Sequence, residues 1–147
     1  MAEVITVASH EEATRAYRFL VRRKQTRERR RESSRQHAIA RLKKAVAEVA
    51  PRFSVERVYL YGSLLSGRWH RGSDVDLAVE GDLPFADLLA LWSELDRRLD
   101  WEVDVRELTG LPFAGKVRAE GMVVYERRAP HSHKSDRGCG AEAGPAL

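Results

Sequence analysis

The sequence contains a single cysteine, Cys139, and no apolar run near the ~18 residues that a membrane-spanning helix requires. One cysteine excludes an internal disulfide, and the first residues, MAEVITVASHEE, lack the basic and apolar regions of a secretory signal. We therefore expect a soluble protein of a reducing compartment, the cytoplasm. A chain of 147 residues suffices for one domain with a modest core, because a chain of this size buries about two-thirds of its extended surface.

Proline and glycine are absent between Ser9 and Pro51. Ser9 and Glu12 have the spacing of a capping box, so the sequence predicts a helical region of up to two helices that ends at Pro51. Residues 24–36 are polar on every helical face and are expected either to project into water or to fray. The apolar positions that follow recur at helical spacing and predict a core-packed face: Ile39, Leu42, Val46 and Val49.

Positive charge is concentrated in this region. Between Glu11 and Lys44 there are 13 Lys or Arg and 4 Glu, a net +9, whereas the whole chain carries +4. A basic block of this kind indicates either an anionic partner or a solvated helix face, and the sequence alone leaves both open.

The remainder predicts strands interleaved with helices. The segments VYLY, SDVDLAVEG, WEVDVREL and MVVYER have strand character, and a helix from Pro84 to Asp100 and a short broken helix at 111–121 separate the later ones. The predicted fold is α/β (α+β), a small mixed sheet with helices packed on one face, preceded by a long basic N-terminal helix. The polar side chains would then lie on the opposite face of the sheet.

Two aspartates, Asp74 and Asp76, stand in one of these strands although Asp is a poor strand former. Side chains at i and i+2 point to the same face, where each carboxylate makes the other costlier to ionise unless a cation lies between them. Oxygen ligands with few protein donors suit Mg²⁺, which takes substrate phosphates and water as its other ligands. The alternative is a pair of solvated aspartates on an exposed sheet face.

Gly62 and Ser63 follow the first strand directly. Glycine there allows a close backbone approach and serine offers a hydroxyl, which suits the phosphates of a nucleotide, although Gly-Ser after a strand is often only a turn. Asp104, on a later strand, is expected on the same face as the aspartate pair. Three carboxylates beside such a turn match a two-metal site that aligns an attacking hydroxyl with an α-phosphorus.

Gly62-Ser63, ten residues, then Asp74-Val75-Asp76 resembles the GSx10DxD signature of the DNA polymerase beta-like nucleotidyltransferase superfamily, and the small size resembles its minimal nucleotidyltransferase (MNT) branch. The resemblance covers roughly residues 38 to 127. It implies that Gly62 and Ser63 hold the nucleoside triphosphate, ATP, and that Asp74 and Asp76 bind two Mg²⁺. It also implies that Asp104 completes one metal site and helps to activate the attacking hydroxyl.

The domain organisation that follows is a basic helical arm at 1–36, a nucleotidyltransferase domain at 37–127 and a disordered tail at 128–147. Two features depart from relatives. Basic residues that many relatives carry after Gly-Ser are replaced here by Leu64, Leu65 and Ser66, so triphosphate affinity is lower or the later Arg68 and Arg71 substitute for them. No helical substrate domain follows the core, so a separate protein would supply the acceptor.

Three hypotheses follow. The first is a Mg²⁺-dependent enzyme that transfers AMP from ATP to a hydroxyl; the MNT resemblance implies an antitoxin that modifies a tyrosine of a HEPN-family toxin. The second is a catalytically vestigial binding module that neutralises a partner by contact alone. The third assigns the basic arm to nucleic acid, against which stands the lack of aromatic residues between Val21 and Pro51.

Overall fold

The computed structural model describes residues 9–70 and 72–128. Its first element, α1, is one continuous helix at His10–Val49, where the sequence allowed for two. The predicted capping box is confirmed: the Ser9 hydroxyl accepts from the Glu12 amide, and the Glu12 carboxylate accepts from the Ser9 amide. Pro51 lies in a short 3-10 turn, Ala50–Arg52, that ends the helix.

The two halves of α1 have different environments. Residues 10–34 are almost entirely exposed, so the polar stretch projects into water as part of the continuous helix. The second half packs on the core through the predicted apolar face and two alanines, with the buried residues Ala38, Ile39, Leu42, Ala45, Val46 and Val49. Tertiary packing of this half supplies the stability that the polar half cannot provide for itself.

Four strands form one mixed sheet in the order β3-β2-β1-β4. The strands are β1 at Val55–Tyr61, β2 at Val75–Gly81, β3 at Val103–Glu107 and β4 at Met122–Glu126. Strand β1 is antiparallel to β2 and β4, whereas β2 and β3 are parallel because the helix α3, Phe85–Arg98, crosses between them. Two short helices complete the fold, α2 at Ser63–Ser66 and α4 at Ala114–Glu120.

The main core lies between the sheet and the helices α1 and α3, and it contains the inward-facing residues Val58, Leu60, Leu77, Leu91, Leu95 and Val105. On the opposite face a smaller cluster joins the sheet to α4 and the segment before it, through Tyr59, Ala78, Leu108, Leu111 and Val117. That segment leaves the region around Asp76 and Asp104 only partly buried.

Two large apolar side chains of α3 do not pack on the core. Phe85 and Leu89 are 72% and 46% exposed. Both lie at the edge of the apolar face of α3, while its packed part is centred on Leu91 and Leu95.

Within the described residues no helix is long and apolar enough to cross a membrane. The predicted arm boundary at residue 36 falls inside α1, and the division into arm, domain and tail stays a prediction. Residues 129–147 of the predicted tail, including Cys139, and Arg71 lie outside the described residues.

Candidate active site

The Gly-Ser turn follows directly from the end of β1. Gly62 has φ 78° and ψ −151°, a conformation that is essentially restricted to glycine, and α2 begins at Ser63. A Cβ on Gly62 would lie 2.2 Å from Oδ2 of Asp76, so glycine is required both by the backbone and by the neighbouring carboxylate. The turn and the aspartate strand are therefore in direct contact.

Asp76 and Asp104 are partners in the parallel register of β2 and β3. Paired residues of neighbouring strands place their side chains side by side on one face, here the face opposite the main core. Partial burial raises the pKa of Asp76 above 3.8, and the charges of Asp104 and Asp74 raise it further, while Arg106 opposes them. Asp104 and Asp74 are thus close enough to disfavour ionisation of Asp76.

Asp74 lies immediately before β2 and is exposed, so only Asp76 of the predicted pair belongs to the strand. Asp74 lies beyond the pairing with both neighbouring strands, because β1 ends at Tyr61 opposite Asp76 and the pairing with β3 begins at Val75. The neighbouring Val75 amide still donates to the Glu102 carbonyl at 2.9 Å, which fixes the chain there. Asp74 consequently borders the site without being enclosed in it.

Arg106 donates from Nε to Oδ2 of Asp104 at 3.1 Å and provides the compensating positive charge on this face. Across residues 9–70 and 72–128, no three His, Cys, Asp or Glu side chains converge into a group that could hold a metal ion. The donor chemistry fits Mg²⁺, because the donors are carboxylate oxygens with unfavourable mutual charge on one partly desolvated face. The side chains themselves are not arranged around one point.

A cleft of about 810 Å³ opens beside Gly62 and Ser63. One wall is aromatic: the rings of Tyr61 and Phe113 meet edge to face with centroids 5.7 Å apart. Burial raises the pKa of the Tyr61 hydroxyl, with further contributions from Asp76 and Asp104, so the phenol remains neutral at physiological pH. The volume of the cleft suits a small-molecule ligand such as a nucleotide.

Positive charge reaches this cleft through Arg68 and Lys116. The departure from relatives in the loop has a structural reason at Leu64, which is fully buried and anchors α2 in the core. Arg68 lines the cleft, and its role as a substitute for the missing basic residues stays a prediction. Arg71 is outside the described residues.

Several residues at this site were not predicted. Tyr61 could have been predicted from its neighbours in the sequence. Strand alternation places it on the same face as Tyr59, and it directly precedes Gly62. Phe113 and Lys116 come from the separate segment around α4 and Arg35 from α1, so no local pattern could have indicated them.

Arg35 supports the turn from the long helix. Its Nη1 donates to the carbonyls of Leu64 and Leu65, at 3.1 and 3.4 Å, and Glu32 holds the rest of the guanidinium through two hydrogen bonds. The side chain is only 18% exposed. Arg35 therefore ties the loop that follows Gly62 to α1.

Comparisons with known proteins identify the family of the chain. A family model described as polymerase beta, nucleotidyltransferase, matches residues 43–129. No curated protein matches the sequence.

Among solved structures, the chain is similar to a toxin–antitoxin structure with AMP-PNP, at 26% identity and TM-score 0.49, over 61% of this chain and 74% of that one. It is also similar to a candidate nucleotidyltransferase from Sulfolobus solfataricus, at 22% identity and TM-score 0.48, over 66% and 87%. A third neighbour is the toxin–antitoxin MntA-HepT, at 22% identity and TM-score 0.44, over 63% and 73%. Since the family model covers more than half of its length, the chain belongs to the polymerase beta nucleotidyltransferase family.

Proposed function

We propose that this protein is a Mg²⁺-dependent nucleotidyltransferase that transfers AMP from ATP to a hydroxyl group. One observation carries the proposal: the Asp76 carboxylate packs against Gly62, which lines the cleft together with Ser63, and Asp76 pairs in register with Asp104. The contact between the Gly-Ser turn and an acidic side chain supports the proposal, because transfer at an α-phosphorus requires the triphosphate and the metal ligands to be held close together.

In this proposal Gly62 and Ser63 hold the triphosphate, with Arg68 and Lys116 offsetting part of its charge. Asp74, Asp76 and Asp104 would hold two Mg²⁺, which when bound neutralise the triphosphate and the leaving pyrophosphate. The oxygen of the acceptor bonds to the α-phosphorus, the bond to the bridging oxygen breaks, and pyrophosphate leaves. The hydroxyl proton passes to a nearby base, and we propose the partly buried Asp104 carboxylate for this role.

The acceptor we propose is a tyrosine of a HEPN-type toxin, which would make this chain the antitoxin of a cytoplasmic pair. The family match supports the transfer chemistry, while the MNT resemblance of the GSx10DxD segment motivates the choice of acceptor.

The test is transfer of label from ATP labelled at the α-phosphate, with Mg²⁺, to co-expressed candidate toxins. We expect α but not γ label on the toxin, lost in Asp76→Asn and retained in the matched control Asp96→Asn, which removes an exposed carboxylate on α3. Peptide mapping would then place the label on tyrosine. Transfer by Asp76→Asn at the wild-type rate would refute the site assignment.

A second candidate is the vestigial binding module. It is favoured by the ion pair of Arg106 with Asp104 and by the unconverged carboxylates within the described residues. Under this alternative Asp76→Asn neutralises a toxin as well as wild type does, whereas deletion of residues 1–36 abolishes neutralisation. Under the enzymatic proposal Asp76→Asn fails to neutralise.

A further inference from the structure

Four arginines of α1 lie on one face of the helix, and we name them the basic track: Arg23, Arg27, Arg30 and Arg31. Because successive helical residues turn by about 100°, these spacings confine the four positions to a sector of about 100°. All four side chains are exposed, and within residues 9–70 and 72–128 none of them forms an ion pair. The track is a continuous line of uncompensated positive charge.

The track leads into a groove of about 360 Å³ between α1 and the loop after α2. Arg30 and Arg31 line it from the helix, and Arg68, Trp69 and His70 line it from the loop. Arg68 also lines the candidate nucleotide cleft, so the groove and the cleft adjoin. Trp69 is partly buried, with its ring fixed edge to face against Trp101 at 5.8 Å.

We propose that the basic track and this groove bind the phosphate backbone of a single-stranded polynucleotide. A row of arginines neutralises successive phosphates, and the release of their counterions supplies affinity. An aromatic ring beside such a row provides a surface on which a base stacks, as in other proteins that bind single strands.

Charge alone would also suit an acidic protein. The tryptophan in the groove and the continuity with a cleft that suits nucleotides favour a polynucleotide instead. The triphosphate of ATP is a second phosphate ligand that Arg68 could contact from the cleft. It does not account for Arg30 and Arg31, because these two residues do not line the cleft. The inference therefore stands independently of nucleotidyl transfer.

The experiment measures fluorescence anisotropy of a labelled single-stranded RNA of about 15 nucleotides, and of DNA of the same sequence, between 50 and 200 mM salt. For wild type we expect affinity that falls steeply with salt. The double variant Arg30→Gln/Arg31→Gln should weaken binding about 10-fold and reduce the salt slope by about 1.4, since each lost phosphate contact removes about 0.7 on a single strand. The two probes distinguish RNA from DNA as the ligand.

The matched control is Arg22→Gln/Arg29→Gln. It removes the same charge from the same helix, but both positions lie on the side facing away from the track. Arginine and glutamine have similar helix propensity, so both variants should keep the helix content of wild type by circular dichroism. We expect less than about 2-fold weakening in the control and wild-type ATP affinity in both variants.

Three results would overturn the proposal. The first is that neither oligonucleotide binds at 50 mM salt. The second is that the two double variants lose affinity equally, which would mean that net charge alone attracts the strand. The third is that polyglutamate binds more tightly than either oligonucleotide, which would assign the track to an acidic protein. None of these results bears on AMP transfer, which the labelling experiment tests separately.

Discussion

Gly62 and Asp76 are in contact so close that a Cβ on Gly62 would lie 2.2 Å from Oδ2 of Asp76. Gly67, at the far end of α2, shares the positive φ, at 82°, yet a Cβ there would meet no heavy atom within 4 Å. Gly67 is thus favoured by its backbone conformation alone, whereas Gly62 is favoured both by its backbone conformation and by its contact with Asp76.

Replacement of Gly62 by alanine should destabilise the protein and abolish transfer. The conformation of Gly62 is costly for any residue with a Cβ, and the new methyl group would displace the Asp76 carboxylate. We expect a loss of at least about 2 kcal/mol in the free energy of unfolding. Denaturant titration and the α-label assay measure the two effects.

The matched substitution Gly67→Ala should cost about 1–2 kcal/mol of unfolding free energy, the penalty for a left-handed residue, and should retain much more activity. Equal activity loss in the two variants, at temperatures where both are folded, would show that contact with Asp76 is not the reason for the glycine.

The Asp76 carboxylate should lower the stability of the ligand-free protein and contribute to the binding of Mg²⁺ and nucleotide. Burial and neighbouring negative charge raise the pKa of Asp76, so its ionised form opposes folding at neutral pH. We therefore expect Asp76→Asn to have a higher Tm than wild type without ligand. With Mg²⁺ and a non-hydrolysable ATP analogue at 100 times Kd, wild type should gain about 2.7 kcal/mol.

Asp76→Asn should show little of this ligand-dependent rise in Tm, whereas Asp96→Asn should show all of it. A full rise in Asp76→Asn would mean that the nucleotide binds without the carboxylate, and would move the metal site elsewhere.

Arg35 should act as a positioning residue for the Gly-Ser turn. Because its guanidinium holds the carbonyls of Leu64 and Leu65, Arg35→Gln should loosen α2 and raise KM for ATP several-fold with a smaller change in kcat. Hydrogen exchange of the amides in 63–67 should accelerate. Arg98→Gln breaks a comparable ion pair, with Glu48, far from the loop and serves as the control. Equal effects on KM in the two variants would contradict the assignment.

Local patterns in the sequence were sufficient wherever one segment determines its own structure. The capping box at Ser9, the apolar face from Ile39 to Val49 and the alternation around Asp76 and Asp104 all predict what the structure contains. Each depends on a fixed period or on a neighbour within a few residues.

What the sequence did not predict depends on contacts between distant segments. Asp74 falls outside β2 because neither β1 nor β3 extends far enough to pair with it, and Phe113 reaches the cleft because α4 packs beneath Tyr59. Arg35 meets the turn only because α1 continues unbroken past it. Periodicity in one segment carries no information about such contacts.

Lys116 should contribute to nucleotide affinity. It lines the cleft from α4, and its only ion pair within the described part of the chain is a long one, 4.0 Å to Glu120. Lys116→Gln should raise KM for ATP about 3- to 10-fold, the loss of one exposed charge near a triphosphate, with the effect reduced at high salt. Arg118→Gln removes a charge from the same helix outside the cleft and should leave KM within about 2-fold. A salt-independent effect, or one equal in both variants, would contradict a charge contact.

The contact by which Arg35 holds the loop after Gly62 should weaken at low pH, because Glu32 orients the Arg35 guanidinium. Hydrogen bonds from Arg35, and then from Gln36, lower the pKa of Glu32 from 4.5 to about 2. Because the folded pKa is depressed, the carboxylate stabilises the fold fully above pH 4.5, and this contribution is lost as the pH falls towards 2. The Tm difference between wild type and Glu32→Gln should therefore be constant from pH 7 to pH 5 and shrink below that. The control is Glu28→Gln, which removes a carboxylate that has no ion pair within the described residues. If the Tm difference between wild type and Glu32→Gln persists undiminished at pH 3, Arg35 does not depend on the charge of Glu32.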